Sequence, residues 1–209
     1  MRQAFSFHTI LGMLICATLI LIILELPPGG RLSPNLAEIP QIGQRSTVIG
    51  YDRKLFGNGW AYNPKTSCST RQDVLRNQLT TVGDFDGCDS IVAGICPYSN
   101  TKISSDPGSV PGDPIEVDHI FPLSAAWDMG AFAWSEETRI AFANDPLNLV
   151  AVSAKQNQSK SDLLPSDWLP PVQSNRCWYV NRVTEVAAKY GLFLSTEDVT
   201  IMRKQCLFR

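Results

Sequence analysis

The longest apolar run in the chain lies near its start, from Ile10 to Leu24, with Arg2 ahead of it. As a helix, fifteen residues span about 22 Å, short of the ~30 Å hydrocarbon core of a bilayer. Counting from Phe5 to Leu26 lengthens the run but takes in His8 and Glu25. This is the pattern of a secretory hydrophobic region. No clean Ala-x-Ala site follows it, so residues 1–26 are expected to serve as a signal peptide or as an uncleaved signal-anchor. Both put the rest of the chain in the extracellular space or at the cell surface, and the second adds membrane anchoring.

Residues 27–47 are rich in Pro, Gly and polar side chains and read as a linker, with one domain over 48–209. A short helix is expected after Cys68, capped by Thr70 and carrying Val74, Leu75 and Leu79. From Gly83 to Pro114 the chain is turn-rich, with short strands at Ile91–Ala93 and Thr101–Ile103. Ile115–Phe121 reads as a strand ending at Pro122, and Leu147–Val152 as a second. Between them Ser135–Ala143 is helical, with Glu136 and Glu137 in the first turn, where the helix dipole favours them. A further helix begins near Ser153 and runs through Lys160, before Pro165 and Pro170 break the pattern. The C-terminus reads as a helical hairpin: one helix from Ser174 to Gly191, the next capped by Ser195 with Asp198 three residues on. The fold class is α+β with few strands and additional helices.

Composition excludes little. Hydrophobic residues make up 44% and charged residues 18%, ordinary for a globular domain. The net charge of −2 carries no global signature of nucleic-acid binding. Charge is uneven, however: from Arg31 to Ala154 there are 14 acidic and 9 basic residues, and from Lys155 to Arg209 there are 8 basic and 5 acidic.

The cysteines say more. None of Cys68, Cys88, Cys96, Cys177 and Cys206 forms a C-x-x-C pair of the kind zinc sites use, whereas disulfides suit an exported chain. In an antiparallel hairpin, Cys177 near the start of one helix faces Cys206 near the end of the other, which predicts a Cys177–Cys206 bridge. Cys68–Cys88 would close a loop of about 20 residues and contribute roughly 3 kcal/mol. Cys96 is then left over.

Outside the leader there is one histidine, His119, which excludes chemistry needing two. It ends a strand-like stretch, Glu116-Val117-Asp118-His119-Ile120-Phe121-Pro122, and the second strand leads into a helix carrying Asn157 and Lys160. A strand–loop–strand–helix unit brings a strand end against a helix face. Asp118 and Asn157 could there offer hard oxygen ligands to Mg²⁺ or Mn²⁺ rather than zinc. An imidazole of ordinary pKa ~6.5 beside them can take a proton from water.

The two segments Val117-Asp118-His119-Ile120-Phe121-Pro122 and Asn148-Leu149-Val150…Asn157-Gln158-Ser159-Lys160-Ser161-Asp162 resemble the HNH (ββα-metal, His-Me finger) nuclease motif, including that of RNA-guided CRISPR nucleases. Over about residues 50–209 the chain is similar to exported HNH proteins related to the C-terminal domain of GmrSD-type restriction enzymes. Tyr51-Asp52-Arg53, Phe56-Gly57, Trp60, Arg71, Phe142–Leu149, Trp168–Pro171 and Lys189–Leu192 carry that wider match. The resemblance implies a ββα-metal core and a metal-dependent endonuclease acting on nucleic acid, DNA ahead of RNA. It implies His119 as general base, Asp118 and Asn157 as ligands of Mg²⁺ or Mn²⁺, and Asn148 as the residue that fixes the loop and helps orient the histidine. Asn157 stands where the motif's name has a second histidine. Lys160, Arg53 and Arg71 are candidate phosphate contacts; for the arginines the alternative is a structural ion pair with Asp52 or Asp73. Two rival functions remain. One is a catalytically inactive extracellular HNH-like binding module. The other is a hydrolase working through Glu116 with Asp118, or Glu136 with Glu137.

Overall fold

The computed structural model describes residues 7–25, 30–83 and 87–206; the ends of the expected export segment, at 1–6 and 26, lie outside them. Helix α1 spans Phe7–Glu25. Among the described residues no helix is long and apolar enough to cross a membrane. The chain continues through β1 (Gln41–Ile42), β2 (Tyr62–Asn63), β3 (Cys68–Ser69), α2 (Thr70–Gln78), β4 (Thr80–Thr81), β5 (Val92–Ile95), β6 (Lys102–Ser104) and β7 (Asp113–His119). Then come α3 (Leu123–Asp128), α4 (Glu136–Ala143), β8 (Leu149–Ser153), α5 (Ala154–Lys160), α6 (Gln173–Tyr190), β9 (Leu194–Ser195) and α7 (Thr196–Met202).

Five strands form one mixed sheet in the order β4-β5-β6-β7-β8, with β6 and β7 parallel and the other neighbours antiparallel. This is an α+β fold; β5 and β6 fall at the short strands expected around Ile91–Ala93 and Thr101–Ile103, while β4, two residues long, is too short to show an alternating pattern. The β7–β8 pair is the longest, running from Ile115 opposite Ser153 to His119 opposite Leu149. Every residue of β8 is buried, although it is an edge strand. The side chain of Gln78, at the end of α2, closes that edge. Its Nε2 donates to the Leu149 carbonyl (3.0 Å) and its Oε1 accepts from the Ala151 amide (2.9 Å), replacing a neighbouring strand.

Local signals set the helix starts. Ser69, one residue before the expected cap, forms a capping box with Gln72, and Ser153 caps α5 by accepting from the Gln156 amide. Ser195 and Asp198 form the capping box of α7. Helix α6 ends at Gly191, whose φ of 63° is the left-handed conformation a helix C-cap favours. The bridges Cys68–Cys88 and Cys177–Cys206 are both present, with Cα–Cα distances of 5.4 and 4.8 Å. Cys96 is free and buried, its sulfur accepting from the Ser153 amide.

Residues 30–47 are not a loose linker. Leu36 and Ile39 belong to the core, and β1 pairs in parallel with β9. The amide and hydroxyl of Ser33 bond Asn181 and Glu185 on α6 (2.8 and 2.6 Å). Arg45 then reaches Asp128 at the end of α3 and Asp162 beyond α5, at 2.8 Å each. The segment is a strap; its two core side chains are too sparsely spaced to register as a periodic pattern.

Candidate active site

His119 is the last residue of β7, and the chain beyond it is held by Asn148. The Ile120 amide donates to the Asn148 carbonyl (2.8 Å). The Asn148 side chain continues the ladder: Oδ1 accepts from the Phe121 amide (2.8 Å) and Nδ2 donates to the Phe121 carbonyl (3.2 Å). Fully buried, Asn148 thus acts as one more strand residue and sets where the chain turns after His119.

The His119 ring is gripped twice. Its Nε2 lies 2.8 Å from the Ala143 carbonyl at the end of α4. A carbonyl only accepts, so Nε2 carries the proton and the lone pair of the neutral ring is on Nδ1. The indole of Trp60 stacks on the imidazole with centroids 5.5 Å apart and planes 9° from parallel. Burial lowers the histidine pKa to about 4, helped by the charges of Arg53 and Lys160 and opposed by the Ala143 carbonyl. At neutral pH the ring is therefore neutral, with the Nδ1 lone pair available to take a proton.

Successive strand residues face opposite ways, so Asp118 points away from the His119 ring. Its Oδ1 accepts from Lys160 Nζ (3.0 Å) and its Oδ2 from the Tyr98 hydroxyl (2.7 Å). Lys160 has no exposed surface and also donates to the His119 carbonyl (2.8 Å). It is therefore an internal counter-ion and not the phosphate contact expected of a helix-end lysine. Burial pushes the Asp118 carboxyl up and the Lys160 ammonium down, and each charge opposes the shift of the other.

About one turn earlier on α5, Asn157 Nδ2 donates to Glu116 Oε2 (2.7 Å), and Gln158 also reaches Glu116 (3.3 Å). With its NH₂ so engaged, Asn157 keeps its carbonyl oxygen as an acceptor. Glu116 and Asp118 are thus both occupied by other side chains, which removes the paired-carboxylate reading of them. Glu136 and Glu137 lie in the first turn of α4, as their helix-dipole role expects.

A cavity of about 270 Å³ opens here, lined by Tyr51, Arg53, Asp118, His119, Ser124, Asn157 and Asp162 among others. Arg53 is exposed and, among the described residues, makes no ion pair. The expected structural partners are used elsewhere: Asp52 accepts from the Lys54 amide, and Asp73 from Asn63 and Thr66. Arg71, in the first turn of α2, is not on the cavity wall. The structure thus sets Asp118, His119, Asn157 and Arg53 around one cavity, places Asn148 behind it on the Ile120–Phe121 backbone, and leaves Arg71 out. Trp60, Tyr98, the Ala143 carbonyl and Arg45 had no signal in spacing, because each reaches the site from a distant part of the chain.

Two carboxylate oxygens that each keep a second lone pair, together with a vacant amide oxygen, suit a hard cation in donor type. No cluster of three His, Cys, Asp or Glu positioned for a metal occurs among the described residues.

Residues 69–209 match the family model described as GmrSD restriction endonucleases, C-terminal domain. An uncharacterized secreted protein of Arthroderma benhamiae is 34% identical over 164 residues, covering 75% of this chain and 76% of that protein. No solved structure matches the chain.

Proposed function

Because the chain belongs to the family of GmrSD restriction endonuclease C-terminal domains, we propose that the cavity beside His119 hydrolyses phosphodiesters in nucleic acid, DNA first and RNA second. The observation that carries this reading is the state of the imidazole. Ala143 holds Nε2–H, so the basic Nδ1 belongs to a ring on the wall of a cavity shared with the guanidinium of Arg53. In the reaction Nδ1 takes a proton from water as the water oxygen attacks phosphorus. The bond from phosphorus to the leaving oxygen breaks, and that oxygen is protonated from solvent. Arg53 binds a phosphate oxygen and draws the backbone into the cavity.

In this reading β7, β8 and α5 form a ββα-metal core. Asp118 and Asn157 would hold one Mg²⁺ or Mn²⁺, with water and phosphate oxygens completing its shell, as is usual for Mg²⁺. When bound, the cation would stabilise charge on the phosphoryl group and the leaving oxygen. Asn148 keeps the histidine loop in register. Two disulfides and the secreted relative fit an extracellular location, residues 1–26 acting as signal peptide or anchor.

A second reading, an inactive binding module, draws on Lys160, which already neutralises the buried carboxylate a cation would need. Cleavage of plasmid DNA by the full chain, with Mg²⁺ or Mn²⁺ against EDTA and beside His119→Ala, separates the two. Metal-dependent nicking that falls about 10²–10⁴-fold in the variant supports the nuclease. Equal nicking by His119→Ala would remove His119 from the mechanism. No cleavage of DNA or RNA by oxidised, folded protein would leave the binding module.

A further inference from the structure

A hydrogen bond at one ring nitrogen fixes a direction but leaves the imidazole free to rock about the line of that bond. His119 has a second constraint, the face of Trp60 stacked on it at 9°. Both constraints ride on the same body. Trp60 follows Gly59, whose φ of 114° is a conformation that favours glycine and turns the chain toward the histidine. The next residue, Ala61, donates its amide to Asn144 Oδ1 (2.9 Å), and Asn144 Nδ2 donates to the Ile140 carbonyl on α4 (3.0 Å). Asn144 directly follows Ala143, the residue whose carbonyl holds His119 Nε2. The turn that leads to Trp60 is fastened to α4 again by Phe56 packing on Phe142, ring centroids 6.1 Å apart.

We infer that Trp60 is a positioning residue: with the Ala143 carbonyl it forms a two-sided clamp, tied together by Asn144, that holds the His119 ring in one rotamer and one tautomer. The Ala143 grip sets which nitrogen is basic, and the Trp60 grip sets the plane in which its lone pair lies. A general base acts only when aimed at its proton, and misplacement by about 1 Å can cost about 10²-fold in rate. The kinetic consequence rests on the nuclease reading; the clamp itself does not.

The test therefore has two arms, run on the full-length chain and on Trp60→Ala, Trp60→Phe and Asn144→Ala. The chain holds two histidines, His8 and His119, so ¹⁵N-histidine labelling leaves two ring systems to assign. The wild-type His119 ring should show one tautomer, protonated at Nε2. Trp60→Ala should average the ring signals and lower kcat about 10²-fold with KM little changed, and Trp60→Phe should recover most of both. Asn144→Ala should loosen the ring without altering either grip chemically. Tyr62→Ala, an exposed aromatic two residues on, serves as a control and should leave kcat unchanged.

An unaltered tautomer signal in Trp60→Ala, with wild-type kcat, overturns the clamp. A rise in KM with unaltered ring signals also overturns it and makes Trp60 a substrate contact. If Trp60→Ala does not fold, Trp60→Phe and Asn144→Ala decide by the same readouts. If the wild-type chain cleaves no nucleic acid with any divalent cation, the nuclease reading fails and the ring spectrum alone judges the clamp.

Discussion

Lys160 and Asp118 form an ion pair inside the protein, Nζ to Oδ1 at 3.0 Å, with the lysine side chain wholly inaccessible and the carboxylate nearly so. The pair links the end of α5 to the end of β7 next to His119, and the same ammonium holds the His119 carbonyl. Removing one partner leaves the other charged and unpaired. Lys160→Met is therefore expected to lower stability by about 3–5 kcal/mol. Urea unfolding measures it. A loss below about 0.5 kcal/mol, ordinary for a surface lysine, would contradict the buried role.

Arg53 lines the cavity and, among the described residues, makes no ion pair; Arg71 does not line it. Arg53→Ala should weaken nucleic-acid binding and reduce the slope of log K against log salt by about 1, the signature of one lost phosphate contact. Arg71→Ala should leave that slope at its wild-type value. Fluorescence anisotropy across a salt series distinguishes them, and equal slopes for both variants would remove Arg53 from the substrate path.

Asp145 anchors the loop between Ala143 and Asn148 to α6. It accepts from Lys189 Nζ (2.6 Å) and the Tyr190 hydroxyl (2.9 Å). Burial alone would raise its pKa, but these bonds and the Leu147 amide outweigh it, so the native value lies below the ordinary 3.8. A lowered carboxyl pKa means the unfolded chain binds the proton more readily. The stabilisation is then complete above about pH 4 and is lost as pH falls through the native value. Asp162, held by Arg45, shifts the same way and adds to the slope. Asp145→Asn should flatten the fall in urea midpoint as pH drops below about 4. An unchanged profile would mean Asp145 is not the group that titrates.

The strap over 30–47 is expected to be part of the folding unit. Leu36 is 1% exposed, and Leu36→Ala should cost about 2–5 kcal/mol. Denaturant unfolding checks this. A cost near zero would restore these residues to the status of a linker.

Much of the frame was legible from local chemistry. The strands around Ile115–His119 and Leu149–Ser153 carry dense apolar runs, and Ser153, Ser195 and Gly191 are helix-end residues whose preference acts within one turn. The Cys177–Cys206 bridge followed from hairpin geometry. The short strands β5 and β6 showed between flanking turn residues, whereas β4 did not, since two residues cannot display a period. The strap escaped for the related reason that Leu36 and Ile39 stand among prolines and polar residues.

The chain by itself determined which residues could do chemistry: one histidine beyond residues 1–26, an aspartate beside it, and two asparagines, one just before a strand and one on the next helix. It did so because residue type and short-range spacing are written directly in the sequence. Only the tertiary structure decided what each does. It turned Lys160 inward as the counter-ion of Asp118, used Glu116 to orient Asn157, put Arg53 on the cavity wall, and set Trp60 and the Ala143 carbonyl on His119. Those assignments depend on contacts between segments far apart in the chain, where burial and hydrogen-bond geometry, not residue identity, settle which group is charged, which is basic and which is free.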